Sequence, residues 1–192
     1  MLKETKVTKI VKEDILRIIG ERKRKVSLAV MEKEIKTSPS FISKAIEELE
    51  KEQLIQSKGV FFELTRKGQK EAKDILDKHF VCENYFRRSR NDLRAHEIAH
   101  ILEHYVSQEV INNIIKMSTF KNEGIPLTKL KRHRKKLITD IMISDDALFE
   151  RLVSMGIVPG ENVMVINELP NATVVRIKEK KFALDRNIAR KI

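Results

Sequence analysis

The chain has one cysteine, Cys82, no tryptophan and two tyrosines among its 192 residues. A lone cysteine excludes an internal disulfide and fits a reducing, cytoplasmic compartment. The scarcity of Trp and Tyr argues against a surface that works by stacking single-stranded bases. No apolar run reaches the ~18 residues that suggest a membrane span. The opening MLKETKVTKIVKED is polar and lacks the apolar core of a secretory signal, so none is expected. There is no phosphate-cradling glycine loop, no Ser/His/Asp set and no internal repeat, and the one biased tract is a short basic run.

Charge is abundant, and its distribution is uneven. The net charge is +11. Residues 1–72 carry a net +5 and residues 121–136 a net +6, whereas 73–120 and 137–192 are balanced. Positive charge concentrated in the first third and in one connector attracts a phosphate backbone. A solvated surface explains the same numbers, so the pattern of elements has to decide.

That pattern changes along the chain. Val11, Ile15, Ile18 and Ile19 predict a helix over Val11–Arg22, ended by Gly20 and the ERKRK run. Val26–Ile35 reads as a second, short helix. Ser38-Pro39 is a helix start, and Ser40–Gln53 follows with Ile42, Ile46 and Leu49 inward and Ser40, Ser43 and Lys44 outward. Leu54–Ser57 and Val60–Leu64 read as strands joined by a turn at Lys58-Gly59. Three helices and a hairpin within about 65 residues is the order of a winged helix-turn-helix. In such a unit the third helix lies in the DNA major groove and the hairpin touches the backbone. A winged helix that contacts protein instead is the alternative, and the basic balance favours DNA.

Long helices come next, over Gln69–Arg88 and about Leu93–Val106, then a shorter one over Val110–Met117. Their leftover apolar surface suggests a dimer interface. Lys121–Lys136 reads as a linker, holding Gly124, Pro126 and the basic run from Lys129 to Lys136. The remaining residues predict a helix at Asp145–Met155, strands at Asn162–Asn167, Thr173–Ile177 and Lys180–Leu184, and a terminal helical turn in Asp185–Ile192, as in a small β-barrel. The expected fold is therefore mainly α with small β parts. Its modules are a winged helix-turn-helix at 1–72, a helical dimerisation and metal-binding domain at 73–120, a basic linker at 121–136 and an SH3-type domain at 137–192.

The chemistry concentrates in Ala95–Val106, AHEIAHILEHYV. Helical spacing puts His96, His100, Glu103 and His104 on one face. His79, Cys82 and Glu83 share a face of the preceding helix. Imidazoles and carboxylates suit Fe(II), Mn(II), Zn(II), Co(II) or Ni(II) rather than Ca(II) or a thiolate site. Six candidate side chains exceed one four-coordinate site, which points to two adjacent ones. His96-Glu97-Ile98-Ala99-His100 also matches the H-E-x-x-H of zinc proteases. That reading leaves the winged helix without a task and most of the other His and Glu residues without a role. Partly solvated helix faces are the remaining alternative.

Lys78-His79-x-x-x-Glu83 followed by His96-x-x-x-His100-x-x-Glu103-His104-x-x-Ser107 resembles the metal-dependent repressors of the diphtheria toxin repressor and manganese-transport regulator family. RLVSMGIVPGENVMV and KFALDRNIARKI resemble its C-terminal FeoA-type SH3-like domain. The resemblance covers nearly the whole chain. It implies a primary metal site at Asp14, His100, Glu103 and His104 and an ancillary one at His79, Glu83 and His96. It implies DNA contacts at Ser38, Ser40 and Lys44, to which Lys58 of the hairpin is added. Manganese-type members carry a second carboxylate one turn after the Asp14 position, where this chain has Arg17. Iron-type members carry Met and Cys in place of Asp14 and His100. The function so implied is a cytoplasmic, homodimeric repressor of metal-uptake genes that binds double-stranded operator DNA. It is not an enzyme, and it is activated by Fe(2+) or Mn(2+), with Zn(2+) or Co(2+) as further candidates. The competing functions are a zinc metalloprotease and a non-catalytic protein-interaction module.

Overall fold

The structure is a computed structural model that describes residues 2–22, 25–118 and 124–192, with side chains from residue 7 onward. Lys23 and Arg24 of the ERKRK run, and the first three residues of the 121–136 stretch, lie outside the described residues. The chain divides into two compact units, Met1–His79 and Phe80–Ile192.

In the first unit, α1 (Leu2–Arg22) is longer than its apolar pattern predicts. Val11, Ile15, Ile18 and Ile19 are buried as expected. The predicted helix at Val26–Ile35 is split. Val26–Ser27 form a short strand, β1, and only Leu28–Glu34 are helical, as α2. β1 pairs with Phe61-Phe62, a partner 34 to 36 residues away that no local pattern reveals. Next comes α3 (Pro39–Lys51), with Pro39 in its first turn and Ile42, Ala45, Ile46 and Leu49 buried. β2 (Ile55–Lys58) and β3 (Phe61–Leu64) complete an antiparallel sheet of order β1-β3-β2. Lys58 pairs with Phe61, so the turn is Gly59-Val60, one residue later than predicted. Gly59 sits at φ 67°, a region that glycine enters without the penalty a Cβ imposes.

α4 (Arg66–Phe86) starts three residues early, because the Thr65 hydroxyl accepts a hydrogen bond from Gly68 N at 3.0 Å. Gly68 lets the helix lie on the preceding chain, since a Cβ there would stand 1.8 Å from the carbonyl oxygen of Leu54.

The second unit has its own core. Cys82 and Phe86 of α4 pack with Ala95, Ile98, Ala99 and Leu102 of α5 (Asp92–Leu102) and with Val110, Ile111 and Ile114 of α6 (Gln108–Ser118). Cys82 is fully buried. The same core continues into the C-terminal residues. Leu127 and Leu130, inside the stretch read as a linker, are buried in it, while the cations from Lys131 to Lys136 are exposed. β4 (Lys135–Leu137), absent from the sequence reading, pairs with β5 (Asn162–Glu168). β6 (Ala172–Ile177) and β7 (Lys180–Asp185) complete an antiparallel sheet in chain order. α7 (Asp146–Ser154) and the short α8 (Arg186–Ala189) agree with the sequence. Among the described residues no helix is long and apolar enough to cross a membrane.

Candidate metal centre

α5 is anchored at its start. Asn91 caps it, accepting from Arg94 N at 2.9 Å. Arg94 spans from Glu97, at 3.2 Å, to Asp146 at the head of α7. Arg90 donates to Asp140 Oδ1 at 2.8 Å, and Tyr85 donates to the Thr139 carbonyl at 2.7 Å. Asn113 of α6 donates to the Gly160 carbonyl at 2.9 Å. The helices and the C-terminal sheet of this unit are thus joined by polar contacts as well as by a shared core. Burial and the nearby Asp140 push the Tyr85 hydroxyl above its ordinary range. For Tyr105 burial and Glu150 do the same.

The predicted metal helix is shorter than its pattern. α5 ends at Leu102, with Glu103 as its C-cap. The chain then turns so that Val106 is buried and the Ser107 hydroxyl accepts from Val110 N at 3.3 Å, opening α6. Glu103 and His104 therefore belong to a tight turn rather than to the helix proper.

Five of the side chains that the sequence singled out, Glu83, His96, His100, Glu103 and His104, converge within this unit. The Glu103 side chain is fully buried. Its Oε1 lies 3.7 Å from His100 Nδ1 and 3.6 Å from His104 Nε2. On the other side, His100 Nε2 stands 2.8 Å from His96 Nε2, and His96 Nδ1 is 3.5 Å from Glu83 Oε2. Glu83 also accepts from Arg87 at 2.6 Å. The result is a continuous run of Glu83, His96, His100, Glu103 and His104. His96 and His100 were assigned to two separate ligand sets, yet their rings touch. His79, one turn before Glu83 on α4, is buried.

The donor set suits a divalent transition metal. Burying a carboxylate is costly unless a cation and hydrogen bonds compensate it. Donor atoms 3.6–3.7 Å apart are close to the spacing of two ligands that each lie ~2.1 Å from one ion. Glu97 is half exposed and paired with Arg94, away from this run of buried carboxylates.

In the first unit Asp14 is part-buried, and Arg17 Nη2 lies 3.4 Å from its Oδ1. Arg17 Nη1 also donates to both carboxylate oxygens of Glu21, at 3.1 Å each. The sequence reading noted the position of Arg17 without giving it a role. Its spacing, three residues after one carboxylate and four before another, was the available signal.

Ser38, Ser40, Lys44 and Lys58 are all exposed. Ser38 occupies the N-cap of α3, but its hydroxyl makes no cap and stands 2.9 Å from that of Ser40. Lys58 is not a free cation, because it pairs with Glu63 across the hairpin. That pairing, followed by the Gln56 hydrogen bond at 2.6 Å, holds the Glu63 carboxyl below its ordinary range.

Residues 65–123 match the model of the iron dependent repressor metal binding and dimerisation domain. Residues 125–192 match the FeoA domain. Among solved structures, a manganese-dependent transcriptional repressor in complex with manganese is 19% identical, with a TM-score of 0.51, covering 94% of this chain and 97% of that one. IdeR of T. acidophilum is 21% identical, with a TM-score of 0.49, covering 93% and 94%. The manganese regulator SloR is 20% identical, with a TM-score of 0.49, covering 94% and 96%. No curated protein matches the sequence.

Proposed function

The chain belongs to the diphtheria toxin repressor family of metal-dependent regulators, with a C-terminal FeoA domain, and on that premise we propose that it represses metal-uptake genes by binding operator DNA in response to a divalent metal. The observation that carries this reading is the buried Glu103 carboxylate set between the imidazoles of His100 and His104. A transition-metal cofactor fits that donor chemistry.

In this reading Asp14 of the DNA-binding unit joins His100, Glu103 and His104 as the primary ligand set, and His79, Glu83 and His96 form the ancillary one. The functional modules are 1–72, 73–120, 121–136 and 137–192. A bound divalent ion supplies the positive charge that allows Asp14 and Glu103 to share one site. Without it the two carboxylates repel, and the DNA-binding unit is free to hinge. With the units held together in a homodimer, the two α3 helices stand about 34 Å apart, one turn of DNA. Ser38, Ser40 and Lys44 then offer hydroxyls and an amine to phosphates and base edges, and Lys58 approaches the backbone from the hairpin. The metal selects the DNA-competent arrangement, and a coupling of ~1–3 kcal/mol changes DNA affinity roughly 5–150-fold. Acting on DNA places the protein in the cytoplasm. Fe(2+) and Mn(2+) are the expected activators.

The test is selection of bound sequences from a random double-stranded DNA pool, anaerobically, with Fe(II), Mn(II), Zn(II) or chelator. Metal-dependent enrichment of a two-fold symmetric site is expected. His104→Ala is expected to remove the metal response while leaving a folded dimer. A wild-type metal response in that variant rules out the primary set. Enrichment that is indifferent to chelator rules out metal activation.

A further inference from the structure

Residues 137–192 are balanced in charge along the chain, and the fold separates the two signs. The C-terminal sheet sets Lys135 of β4 opposite Met164 of β5, Met164 opposite Arg176 of β6, and Arg176 opposite Lys181 of β7. Residues directly opposite one another across strands share a face. Val163, Val165, Val175, Ile177 and Leu184 alternate with them and are buried, so the shared face is the outer one. Lys135, Arg176 and Lys181 are exposed. With neighbouring strands ~4.8 Å apart, the row from Lys135 to Lys181 is about 14 Å long. Beside it, His133 N donates to the Val165 carbonyl at 2.8 Å. That bond ties the turn carrying Lys131, Arg132 and Arg134, all exposed, to β5.

Among the described residues none of these six cations makes an ion pair. The acids of the sheet lie elsewhere. Glu168 and Asp185 stand at the opposite end of the strands, beside Thr173 and Ala172. Glu161 is paired with Lys178 at 3.1 Å, and Glu179 sits in the turn between Lys178 and Lys180. Like charges directly opposite across a sheet are destabilising. Arg176 opposite Lys181 is such a pair, and a polyanion laid over the row relieves it.

We propose that this face is a second contact surface for double-stranded DNA, holding phosphates of one strand through Lys135, Arg176 and Lys181. A row of ~14 Å covers about four base-pair rises of 3.4 Å. Contacts of this kind carry no sequence information, and they add affinity and salt dependence. The choice of DNA rests on the regulatory reading above, in which the chain already meets that polymer. An anionic membrane is the other extended polyanion, and a lipid-binding face sets projecting apolar side chains among its cations. Here Met164, Ile166 and Val174 are partly buried, and Leu137 is 37% exposed.

The experiment uses the full chain with chelator and a fluorescent duplex of mixed sequence, in salt from about 50 to 200 mM. A face variant, Lys135→Gln with Arg176→Gln and Lys181→Gln, is compared with wild type. A control variant, Arg151→Gln with Arg190→Gln and Lys191→Gln, removes the same charge from exposed positions off this face. Thermal melts establish that both are folded. The log–log salt slope of the face variant is expected to be shallower by about 2–3, at ~0.9 per phosphate, with affinity lower by roughly 10–100-fold near physiological salt. The control keeps a slope near wild type. A wild-type slope in the folded face variant overturns the proposal, as does wild-type protein that fails to bind the duplex. An equal change in the control also overturns it, because net charge then explains the effect. Binding to phosphatidylserine–phosphatidylcholine vesicles that needs the three cations, with duplex binding indifferent to them, overturns DNA in favour of a membrane. A shallower slope in the face variant without any metal-selected DNA site removes the regulatory reading and leaves this surface standing. A metal-selected site that wild type and face variant bind with the same slope removes this surface alone.

Discussion

Arg17 holds Asp14 one turn back along α1, with Nη2 at 3.4 Å from Oδ1, while its other nitrogen is shared by the two oxygens of Glu21 at 3.1 Å. The guanidinium is nine-tenths buried, so its fixed charge is poorly screened. A proposed metal ligand is thus neutralised by a cation on its own helix, and an ion that recruits Asp14 has to compete with it. Arg17→Met is expected to raise the divalent-metal affinity of the protein. It also removes the Arg17 charge from beside Asp14 and Glu21 and lowers stability by about 1–3 kcal/mol, less than for a fully buried pair because both carboxylates keep some solvent. Calorimetric metal titration and urea unfolding check the two effects. Unchanged metal affinity separates Arg17 from the site.

Gly68→Ala sets a methyl against the Leu54 carbonyl, 1.8 Å from its oxygen if nothing moves. The obstacle is backbone rather than a flexible side chain, so α4 has to shift off the hairpin. Destabilisation of about 1–3 kcal/mol or more is expected by urea unfolding. DNA affinity falls with it, because the same contact sets the position of the hairpin.

Glu63 restrains Lys58. Its carboxyl titrates below the ordinary value of 4.5, chiefly through Lys58 and then Gln56. A depressed folded-state value means that the pairing contributes above the unfolded value and is lost as pH falls through the folded one. The Glu63 carboxyl resonance should therefore show a midpoint below 4.5. Glu63→Gln frees Lys58 for phosphate, and the salt dependence of DNA binding should steepen by about one contact.

Tyr85 and Tyr105 are the two tyrosines of a chain without tryptophan. Both are held above their ordinary value of 10.0, by burial first and then by Asp140 and Glu150 respectively. A raised folded-state value means that their contribution is intact below about pH 10 and is lost as pH rises through the folded value. Absorbance at long ultraviolet wavelength should show no free-tyrosine titration near pH 10, and ionisation should follow opening of the second unit. Tyr85→Phe removes the bond to the Thr139 carbonyl and should cost about 1 kcal/mol in urea unfolding.

Local pattern was enough wherever the chain's own neighbours decide the structure. The inward stripe of α3 and the strands β5, β6 and β7 follow from residue order. So does the choice of His and Glu residues, because few other stretches combine imidazoles with carboxylates at helical spacing. β1 and β4 were missed for one reason. Each is two or three residues long and exists only through a partner strand at least 25 residues away. The basic stretch looked like a linker because its cations dominate it, yet Leu127 and Leu130 tie it into the core.

The sequence by itself determined most of the element types, the family and where imidazoles and carboxylates recur at helical spacing, because composition, spacing and periodicity are properties of the chain. Which imidazole faces which partner was decided only by the tertiary structure. The turn at Glu103 and the packing of α4 beside α5 set the ring orientations. They bring the rings of His96 and His100 edge-on to one another, with Glu83 3.5 Å from the first and Glu103 3.7 Å from the second. Residue spacing assigns a side chain to a helix face, whereas the direction of a ring nitrogen depends on what packs around it.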